Sequence, residues 1–155
     1  MEKATAGRIA PDFDLATNGG GRIRLSDLRG QKVVVYFYPA DDTKGCTIEA
    51  IDFTRAAAAF RAAGTEIIGI SPDSEASHDR FTAKHDLGIT LAADPDHEAI
   101  EAYGVWGEKT LYGRKFMGVE RATFLIGADG RIAQEWHNVR VAGHVDKVLA
   151  AAEAL

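Results

Sequence analysis

The sequence predicts an α/β protein with a central mixed β-sheet flanked by helices. Three observations predict this class. Apolar stretches rich in β-branched residues alternate with helix-type stretches, the first long stretch is apolar almost throughout, and only a short turn separates the last two strand-type stretches. The alternation favours parallel pairing, and the late hairpin adds an antiparallel edge. With 155 residues, the chain is expected to form a single domain over residues 1–155.

The chain begins with a predicted hairpin and a buried strand. Residues 12–16 (DFDLA) and 22–25 (RIRL) flank the glycine-rich turn TNGGG, a pattern typical of two short antiparallel strands. Residues 32–38 (KVVVYFY) are a continuous run of β-branched and aromatic residues. Because neither face of this run is polar, we expect a strand that is buried on both sides.

A helix is predicted over residues 43–63, after that strand and a polar turn. Phe53, Ala57 and Phe60 recur at helical spacing, so they are expected to share the face that packs on the sheet. Gly64 is the expected stop, because glycine adopts the left-handed conformation that commonly ends a helix.

The rest of the chain continues the alternation. Ser74 and Gly88 mark the expected start and end of the second helix. Asp129 and Gly130 predict a tight turn between the last two strands. Residues 106–120 carry mixed signals and are interpreted as a loop with some extended structure. The remaining predicted elements are strands at 66–72, 90–95, 121–127 and 131–139, and helices at 74–88, 97–105 and 142–155.

Composition and charge limit the partners of the protein. The chain is 46% hydrophobic and 26% charged, which is ordinary for a globular protein. Its formal net charge is -5 and it has no run of Lys or Arg, which argues against nucleic acid or an anionic membrane as a partner. No stretch reaches the ~18 to 20 apolar residues of a membrane span, and the N-terminus has no apolar core of signal-peptide length. We therefore expect a cytoplasmic protein.

Cys46 is the only cysteine in the chain, so no internal disulfide is expected. A lone cysteine is usually a small buried hydrophobic residue, and its neighbours decide whether it does chemistry. The histidines show no metal-ligand spacing such as HxxxH, so neither a metal ion nor another cofactor is expected. The histidines are His78, His85, His97, His137 and His144.

The neighbours of Cys46 carry a resemblance to a known family. Pro39, Thr43 and Cys46 have the spacing Pro-x-x-x-Thr-x-x-Cys, which resembles the peroxiredoxin active-site motif. The wider string YFYPADDTKGCTIEA is similar to the bacterioferritin comigratory protein (PrxQ) branch of that family. APDFDL near the start resembles the family's opening strand. Residues 119–132 resemble its late segment, in which an arginine, here Arg121, precedes a strand.

This resemblance implies a thioredoxin-like fold and a thiol-dependent peroxidase that reduces hydrogen peroxide and organic hydroperoxides. By its position in the motif, Cys46 would be the peroxidatic cysteine, the residue that becomes a sulfenic acid. Thr43, Pro39 and Arg121 would form the shell of side chains that supports it.

The chemistry explains why an arginine is needed beside the thiol. The thiolate is the nucleophile, and a free cysteine with a pKa of about 8.5 is only a few per cent thiolate at neutral pH. Making it mostly thiolate takes ~3 to 4 kcal/mol. A helix N-terminus supplies only ~0.3 to 1 kcal/mol, whereas a guanidinium ~4 Å from the sulfur supplies about 4 kcal/mol at an effective dielectric constant of ~20. Arg121 is the candidate because it matches the family's position.

Three more side chains have expected roles at this site. The Thr43 hydroxyl can donate to the thiolate or to a peroxide oxygen and accept from the other oxygen, although it could also be the helix N-cap. Pro39 can shield the thiolate from water without adding an N–H donor. Glu49 could orient an arginine through a bidentate pair, although an ordinary helix carboxylate is the preferred interpretation.

The chain departs from its relatives at Ile51, where many members of this branch carry a second, resolving cysteine. A sulfenic acid on Cys46 must therefore be reduced by an outside thiol, supplied by thioredoxin, glutaredoxin or a small thiol. The missing partner also predicts that Cys46 over-oxidises to the sulfinic acid. We expect the protein to be a monomer.

Two other functions remain open on the sequence. A redox sensor or binding module with the same fold would keep a reactive Cys46 but turn over poorly. A cysteine hydrolase would need a histidine base beside the sulfur. Rapid consumption of peroxide distinguishes the peroxidase from both, whereas alkylation of Cys46 does not.

Overall fold

The computed structural model describes residues 4–155 of the chain. The strands are β1 (Asp14–Ala16), β2 (Arg22–Arg24), β3 (Lys32–Phe37), β4 (Thr65–Ser71), β5 (Thr90–Ala93), β6 (Trp106–Leu111), β7 (Arg114–Val119), β8 (Ala122–Ile126) and β9 (Ile132–Trp136). The α-helices are α1 (Lys44–Ala62), α2 (Glu75–His85), α3 (Glu98–Ala102) and α4 (His144–Ala154). This order agrees with the predicted alternation of strands and helices.

Five of the strands form the central sheet, in the spatial order β5-β4-β3-β8-β9. Strand β4 lies between β3 and β5 and runs parallel to both. Strand β8 pairs antiparallel with β3 on one side and with β9 on the other. The predicted mixed sheet with an antiparallel edge is therefore confirmed, and β3, the strand that leads to Cys46, lies at its centre.

Strand β3 is buried on both faces, as predicted. Alternate side chains of a strand point to opposite faces of the sheet, and those of β3 enter two different apolar clusters. Val33, Val35 and Phe37 belong to the cluster that also contains side chains of β1 and α3. Val34 and Tyr36 belong to the cluster beneath α1 and α4. The end of this strand is therefore held rigidly by the core.

Helix α1 packs on the sheet with its predicted face. Phe53 and Phe60 are fully buried and Ala57 is nearly so. The ring of Phe53 stacks on Tyr36 of β3 with the ring centroids 4.5 Å apart, which fixes the helix against the strand. The helix ends just before Gly64, which adopts a φ of 67° as expected for a helix stop.

Helix α2 begins where predicted but ends earlier. The Ser74 hydroxyl caps the helix by accepting a hydrogen bond from the N–H of Ser77 at 3.1 Å. The helix ends at His85, because Asp86 adopts a left-handed conformation with a φ of 52°. The prediction that Gly88 ends the helix is wrong, since aspartate also tolerates this conformation.

Residues 106–120 contain a regular hairpin, and the interpretation of this segment as a loop is wrong in that respect. Strands β6 and β7 pair antiparallel through a two-residue turn at Tyr112 and Gly113, whose φ angles of 51° and 75° fit a type I′ turn. The segment lacks a clean apolar alternation because most of it is exposed. The other two hairpins, β1–β2 and β8–β9, form where the sequence predicts them.

Candidate active site

Cys46 lies in the first turn of α1, directly beyond the end of β3. Only 1% of the residue is exposed. Thr43 occupies the N-cap position with an extended backbone, and Pro39 follows β3 at the start of the connecting loop. The three motif residues are thus brought together because the central strand delivers the loop to the N-terminal end of the helix, where free backbone N–H groups favour negative charge.

Arg121 reaches the thiol from a distant part of the sequence. It lies between β7 and β8, and pairing of β8 with β3 brings it to the end of the strand that leads to Cys46. Its Nη2 atom donates a hydrogen bond to Cys46 Sγ at 3.3 Å, and its Nη1 atom donates to Glu49 Oε1 at 2.7 Å. The guanidinium therefore bridges the thiol and a carboxylate.

Glu49 is a buried member of this site and not an ordinary helix carboxylate. Its side chain is 0% exposed and that of Arg121 is 17% exposed. Burial raises the pKa of Glu49 to about 7, although Arg121 opposes the shift. Burial alone would lower the pKa of Arg121, but Glu49 and Cys46 raise it above its usual value. The arginine thus stays charged beside the sulfur.

The Thr43 hydroxyl does not contact the thiol, which is one of the two partners predicted for it. It donates to the carbonyl of Ala40 at 3.0 Å, within the loop, and not to the thiol of Cys46. Neither is it a side-chain helix cap, since Thr43 makes no capping hydrogen bond. The residue is exposed, so the lone pairs of its oxygen are open to an incoming molecule.

A buried cluster that the sequence analysis did not identify anchors this loop to α2. Asp41 Oδ2 lies 2.8 Å from His78 Nδ1 and accepts a hydrogen bond from Ser77 Oγ at 2.8 Å. Asp41 Oδ1 accepts from Tyr38 Oη at 2.7 Å. Burial raises the pKa of Asp41, but these hydrogen bonds outweigh it and hold the pKa below its usual value. His78, whose other nitrogen faces the carbonyl of Ala92 at 3.0 Å, is fully buried.

A second, exposed anchor lies beside the first. Asp42 adopts a φ of 59°, and its carboxylate contacts Lys84 Nζ at 2.6 Å and His85 Nε2 at 2.8 Å. Asp41 and Asp42 are adjacent in the sequence, but their partners lie on α2, much further along the chain. Only the fold reveals that both aspartates tie the active-site loop to α2.

The backbone that carries Arg121 is held by a third set of contacts. The two ring nitrogens of His137 lie 2.8 Å from Glu120 Oε2 and 2.8 Å from Glu135 Oε1. The N–H of Val139 donates to the carbonyl of Arg121 at 2.9 Å. Partial burial lowers the pKa of His137, but the two carboxylates raise it above its usual value. These contacts fix the segment before β8.

A cavity of about 350 Å³ adjoins the site and is lined by Pro39 and Arg121. Residues of the β6–β7 hairpin, including Trp106 and Lys109, also line it. Burial and the charge of Arg121 lower the pKa of Lys109. The cavity is far larger than hydrogen peroxide, so a bulkier molecule can approach the guanidinium from this side.

Other kinds of site find no support in the described part of the chain. Residues 4–155 contain no cluster of three His, Cys, Asp or Glu side chains that could hold a metal ion. No histidine in this range hydrogen-bonds to Cys46, which removes the structural basis of the cysteine hydrolase alternative. Within the same range, no helix is long and apolar enough to cross a bilayer.

Comparison with known proteins agrees with this geometry. The AhpC/TSA family model matches residues 6–135. Peroxiredoxin Bcp of Bacillus subtilis is 44% identical over 143 residues, which cover 92% of this chain and 91% of the relative. Peroxiredoxin Bcp of Escherichia coli K12 is 40% identical over 149 residues, covering 96% of each chain.

Solved peroxiredoxin structures are also similar to this fold. A structure of Xanthomonas campestris peroxiredoxin Q superposes with a TM-score of 0.87 and 43% identity, covering 92% of this chain and 90% of that one. The structures of that protein include cysteine-to-serine mutants at two different positions, whereas this chain has one cysteine. The predicted thioredoxin-like fold is confirmed. The chain belongs to the AhpC/TSA family and is a thiol-dependent peroxidase of the Bcp (PrxQ) group of peroxiredoxins.

Proposed function

We propose that the protein reduces hydroperoxides by a one-cysteine mechanism in which Cys46 is the peroxidatic residue. The contact of 3.3 Å between Arg121 Nη2 and Cys46 Sγ carries this proposal. At that distance a guanidinium stabilises a thiolate by several kcal/mol at an effective dielectric constant of ~20. Glu49 holds the guanidinium in place through the second nitrogen.

In the first step the Cys46 thiolate attacks one peroxide oxygen and the O–O bond breaks. Sulfur is oxidised to the sulfenic acid, and the other oxygen leaves as hydroxide or alkoxide, which takes up a proton. Arg121 stabilises the charge on the departing oxygen. Thr43 accepts a hydrogen bond from the peroxide, and Pro39 keeps water from the sulfur without offering a donor.

In the second step an outside thiolate attacks the sulfenic sulfur, water leaves, and a mixed disulfide forms. Another thiol then attacks the outside sulfur and releases the Cys46 thiolate. Thioredoxin, glutaredoxin or a small thiol can supply these groups. Since the chain has no second cysteine, excess peroxide converts Cys46 to the sulfinic acid.

We infer that both hydrogen peroxide and organic hydroperoxides are substrates. The alkyl peroxide reduction activity described for the Xanthomonas campestris protein supports this inference, as does the cavity beside Arg121. The enzyme is proposed to act as a single-domain monomer in the cytoplasm.

Mass spectrometry and turnover measurements test the mechanism together. One equivalent of peroxide without thiol is expected to add one oxygen to Cys46, and excess peroxide is expected to add a second. Turnover with thioredoxin, glutaredoxin or dithiothreitol is expected for the native chain and not for Cys46→Ser. Turnover by Cys46→Ser would contradict the one-cysteine mechanism, and a protein that gains no second oxygen under excess peroxide would contradict the prediction of over-oxidation.

A further inference from the structure

The β6–β7 hairpin exposes an unusual share of the apolar surface. Seven large apolar side chains are exposed in the described residues, and four of them belong to this hairpin. Tyr112 at its turn is 96% exposed and Met117 is 53% exposed. The other two are Leu111 and Phe116. Apolar groups gathered on one projecting element mark an interaction surface more often than scattered ones do.

The two faces of the hairpin differ in charge. Alternation along the strands and the cross-strand register assign each side chain to a face. One face, called the basic face below, carries Gly107, Lys109, Leu111, Arg114, Phe116 and Gly118. The opposite face carries Trp106, Glu108, Thr110, Lys115, Met117 and Val119. On the opposite face Lys115 Nζ lies 3.7 Å from Glu108 Oε1, whereas the basic face contains two cations and no carboxylate.

The basic face is continuous with the cavity that Pro39 and Arg121 line. Gly107, Lys109 and Gly118 line that cavity, as Arg121 does. The opposite face also reaches the cavity, at Trp106 and Glu108. A Cβ atom on Gly118 would lie only 3.0 Å from Lys109 Cδ, so the glycine gives room for the lysine stem to cross the strand. Lys109 Nζ then donates to the carbonyl of Val119 at 2.9 Å. A molecule resting on the basic face can therefore extend toward Arg121 and the sulfur that it contacts.

We infer that the basic face of the β6–β7 hairpin is the docking surface for the protein that reduces Cys46, a thiol protein whose reactive cysteine lies in an acidic and apolar surface. This inference rests on the proposed one-cysteine mechanism. Tyr, Phe and Arg are among the residue types enriched at interface cores, and the hairpin supplies them as Tyr112 at the turn and as Phe116 and Arg114 on the basic face. Lys109 and Arg114 favour an acidic partner.

Charge also argues against a second copy of the chain as the occupant. In a two-fold symmetric contact the same surface meets itself, so the cations of one basic face would approach those of the other. A small thiol would need only the cavity and would leave Leu111, Tyr112 and Phe116 without a role. A protein thiol accounts for the cavity and for the exposed apolar side chains together.

A partner with two thiols supplies both electrons that the reduction of the Cys46 sulfenic acid requires. The thiolate of the docked protein attacks the sulfenic sulfur of Cys46, and the oxygen leaves as water after taking up protons. The partner's second thiol attacks the partner's own sulfur in the mixed disulfide. The partner leaves as a disulfide, and Cys46 returns to the thiolate.

A matched pair of charge reversals tests the surface. Arg114→Glu changes the basic face, and Lys115→Glu makes the same change of charge at the adjacent residue on the opposite face. With reduced thioredoxin and then reduced glutaredoxin as electron donor, Arg114→Glu is expected to raise the KM for the protein donor about tenfold, and Lys115→Glu is expected to leave it nearly unchanged. Both variants should react with peroxide, and with dithiothreitol, at the native rate.

Several outcomes overturn the inference. Equal effects of the two reversals, or no effect of either, would remove the basic face as the docking surface. Reduction of the native enzyme by both protein donors at no more than the dithiothreitol rate would favour a small thiol. Dimers that Arg114→Glu disrupts in sedimentation experiments would make the occupant a second copy. Failure of the native chain to form a sulfenic acid would instead contradict the proposed function itself.

Discussion

The two sides of Cys46 are built in different ways. On the arginine side, Arg121 and Glu49 form a nearly buried pair that contacts the sulfur directly. On the loop side, Thr43 is exposed and its hydroxyl bonds to its own loop at Ala40. In the proposed mechanism, Arg121 therefore sets the charge of the thiolate from the core, while Thr43 meets the peroxide from the surface.

Substitutions on the two sides of Cys46 are expected to differ in their effects on reactivity and stability. A change on the arginine side should alter reactivity and folding stability together, because it leaves the buried Glu49 without its partner. A change at Thr43 should alter reactivity alone. The loop that carries Thr43 is held in place by the buried contact between Asp41 and His78.

The largest effect is expected from Arg121→Gln. Loss of the guanidinium removes the donor to sulfur and to the departing oxygen, so the rate of reaction with peroxide should fall by about 10² to 10³. Burial already raises the pKa of Glu49 to about 7, so without the cation its carboxyl becomes neutral and keeps an unsatisfied polar group in the core. The free energy of unfolding should therefore fall by about 1 to 3 kcal/mol. Rapid mixing and denaturant unfolding measure the two effects, with Arg114→Gln as the surface control. A rate of reaction with peroxide within about threefold of the native rate would mean that Arg121 does not activate the thiol.

The second largest effect is expected from Thr43→Val, a change on the exposed side of Cys46. Removing a hydroxyl that bonds a charged or reacting group costs about 1.5 to 3 kcal/mol, which corresponds to a fall in the peroxide rate of ~10- to 100-fold. Thr43→Ser keeps the hydroxyl and should retain most of the rate. Since Thr43 is exposed, unfolding of both variants should match the native chain. A valine variant with native reactivity would exclude the threonine from the reaction.

Substitutions at the adjacent Asp41 and Asp42 compare the stability that a buried set of contacts provides with that of an exposed set. Asp41→Asn weakens a cluster in which the Asp41 and His78 side chains are 4% and 0% exposed, so unfolding should become easier by about 2 to 3 kcal/mol. Asp42→Asn breaks exposed ion pairs, and its effect should stay below about 1 kcal/mol. Urea unfolding of the two variants gives the comparison. Equal losses would show that burial does not decide the strength of these anchors.

Glu49→Gln should change how stability depends on pH. The folded pKa of Glu49 is raised from 4.5 to about 7, so the folded state binds more protons than the unfolded state between these values. Stability contributed by the neutral acid is therefore present below pH 4.5 and is lost as the pH rises through about 7. Glutamine removes this loss.

The measurement is the difference in unfolding free energy between the native chain and Glu49→Gln across that pH range. Other groups that titrate there, such as His144, whose pKa burial lowers to about 4, are common to both proteins and cancel. A difference that does not vary with pH would mean that Glu49 titrates as an exposed carboxylate does.

Local sequence patterns predict the core of the fold, because apolar periodicity is a short-range signal, whereas the resemblance to a known family identifies Pro39, Thr43 and Cys46. The apolar run of β3 and the face of α1 with Phe53 and Phe60 follow from periodicity alone. Arg121 was found only through a family resemblance, since nothing nearby in the sequence marks it as a partner of Cys46. The importance of Glu49 was underestimated, because a carboxylate on a helix gives no sign of its burial.

The remaining errors have similar physical causes. The β6–β7 hairpin was missed because a strand pair that buries little lacks an apolar alternation. The anchor between Asp41 and His78 joins residues far apart in sequence, and their hydrogen bonds depend on how α2 docks. Helical spacing places the Thr43 hydroxyl near the thiol, one of its two predicted partners, whereas Thr43 has an extended backbone at the N-cap and its hydroxyl donates to the carbonyl of Ala40.

Whether Cys46 is an activated thiol is measured by rapid mixing with peroxide. Fully reduced protein is mixed with one equivalent of hydrogen peroxide, and loss of free thiol is followed in time with Cys46→Ser as the control. The account predicts loss much faster than for free cysteine at the same pH, with one oxygen added to the protein. Loss at the rate of an ordinary thiol, with hydrogen peroxide and with organic hydroperoxides, would contradict it.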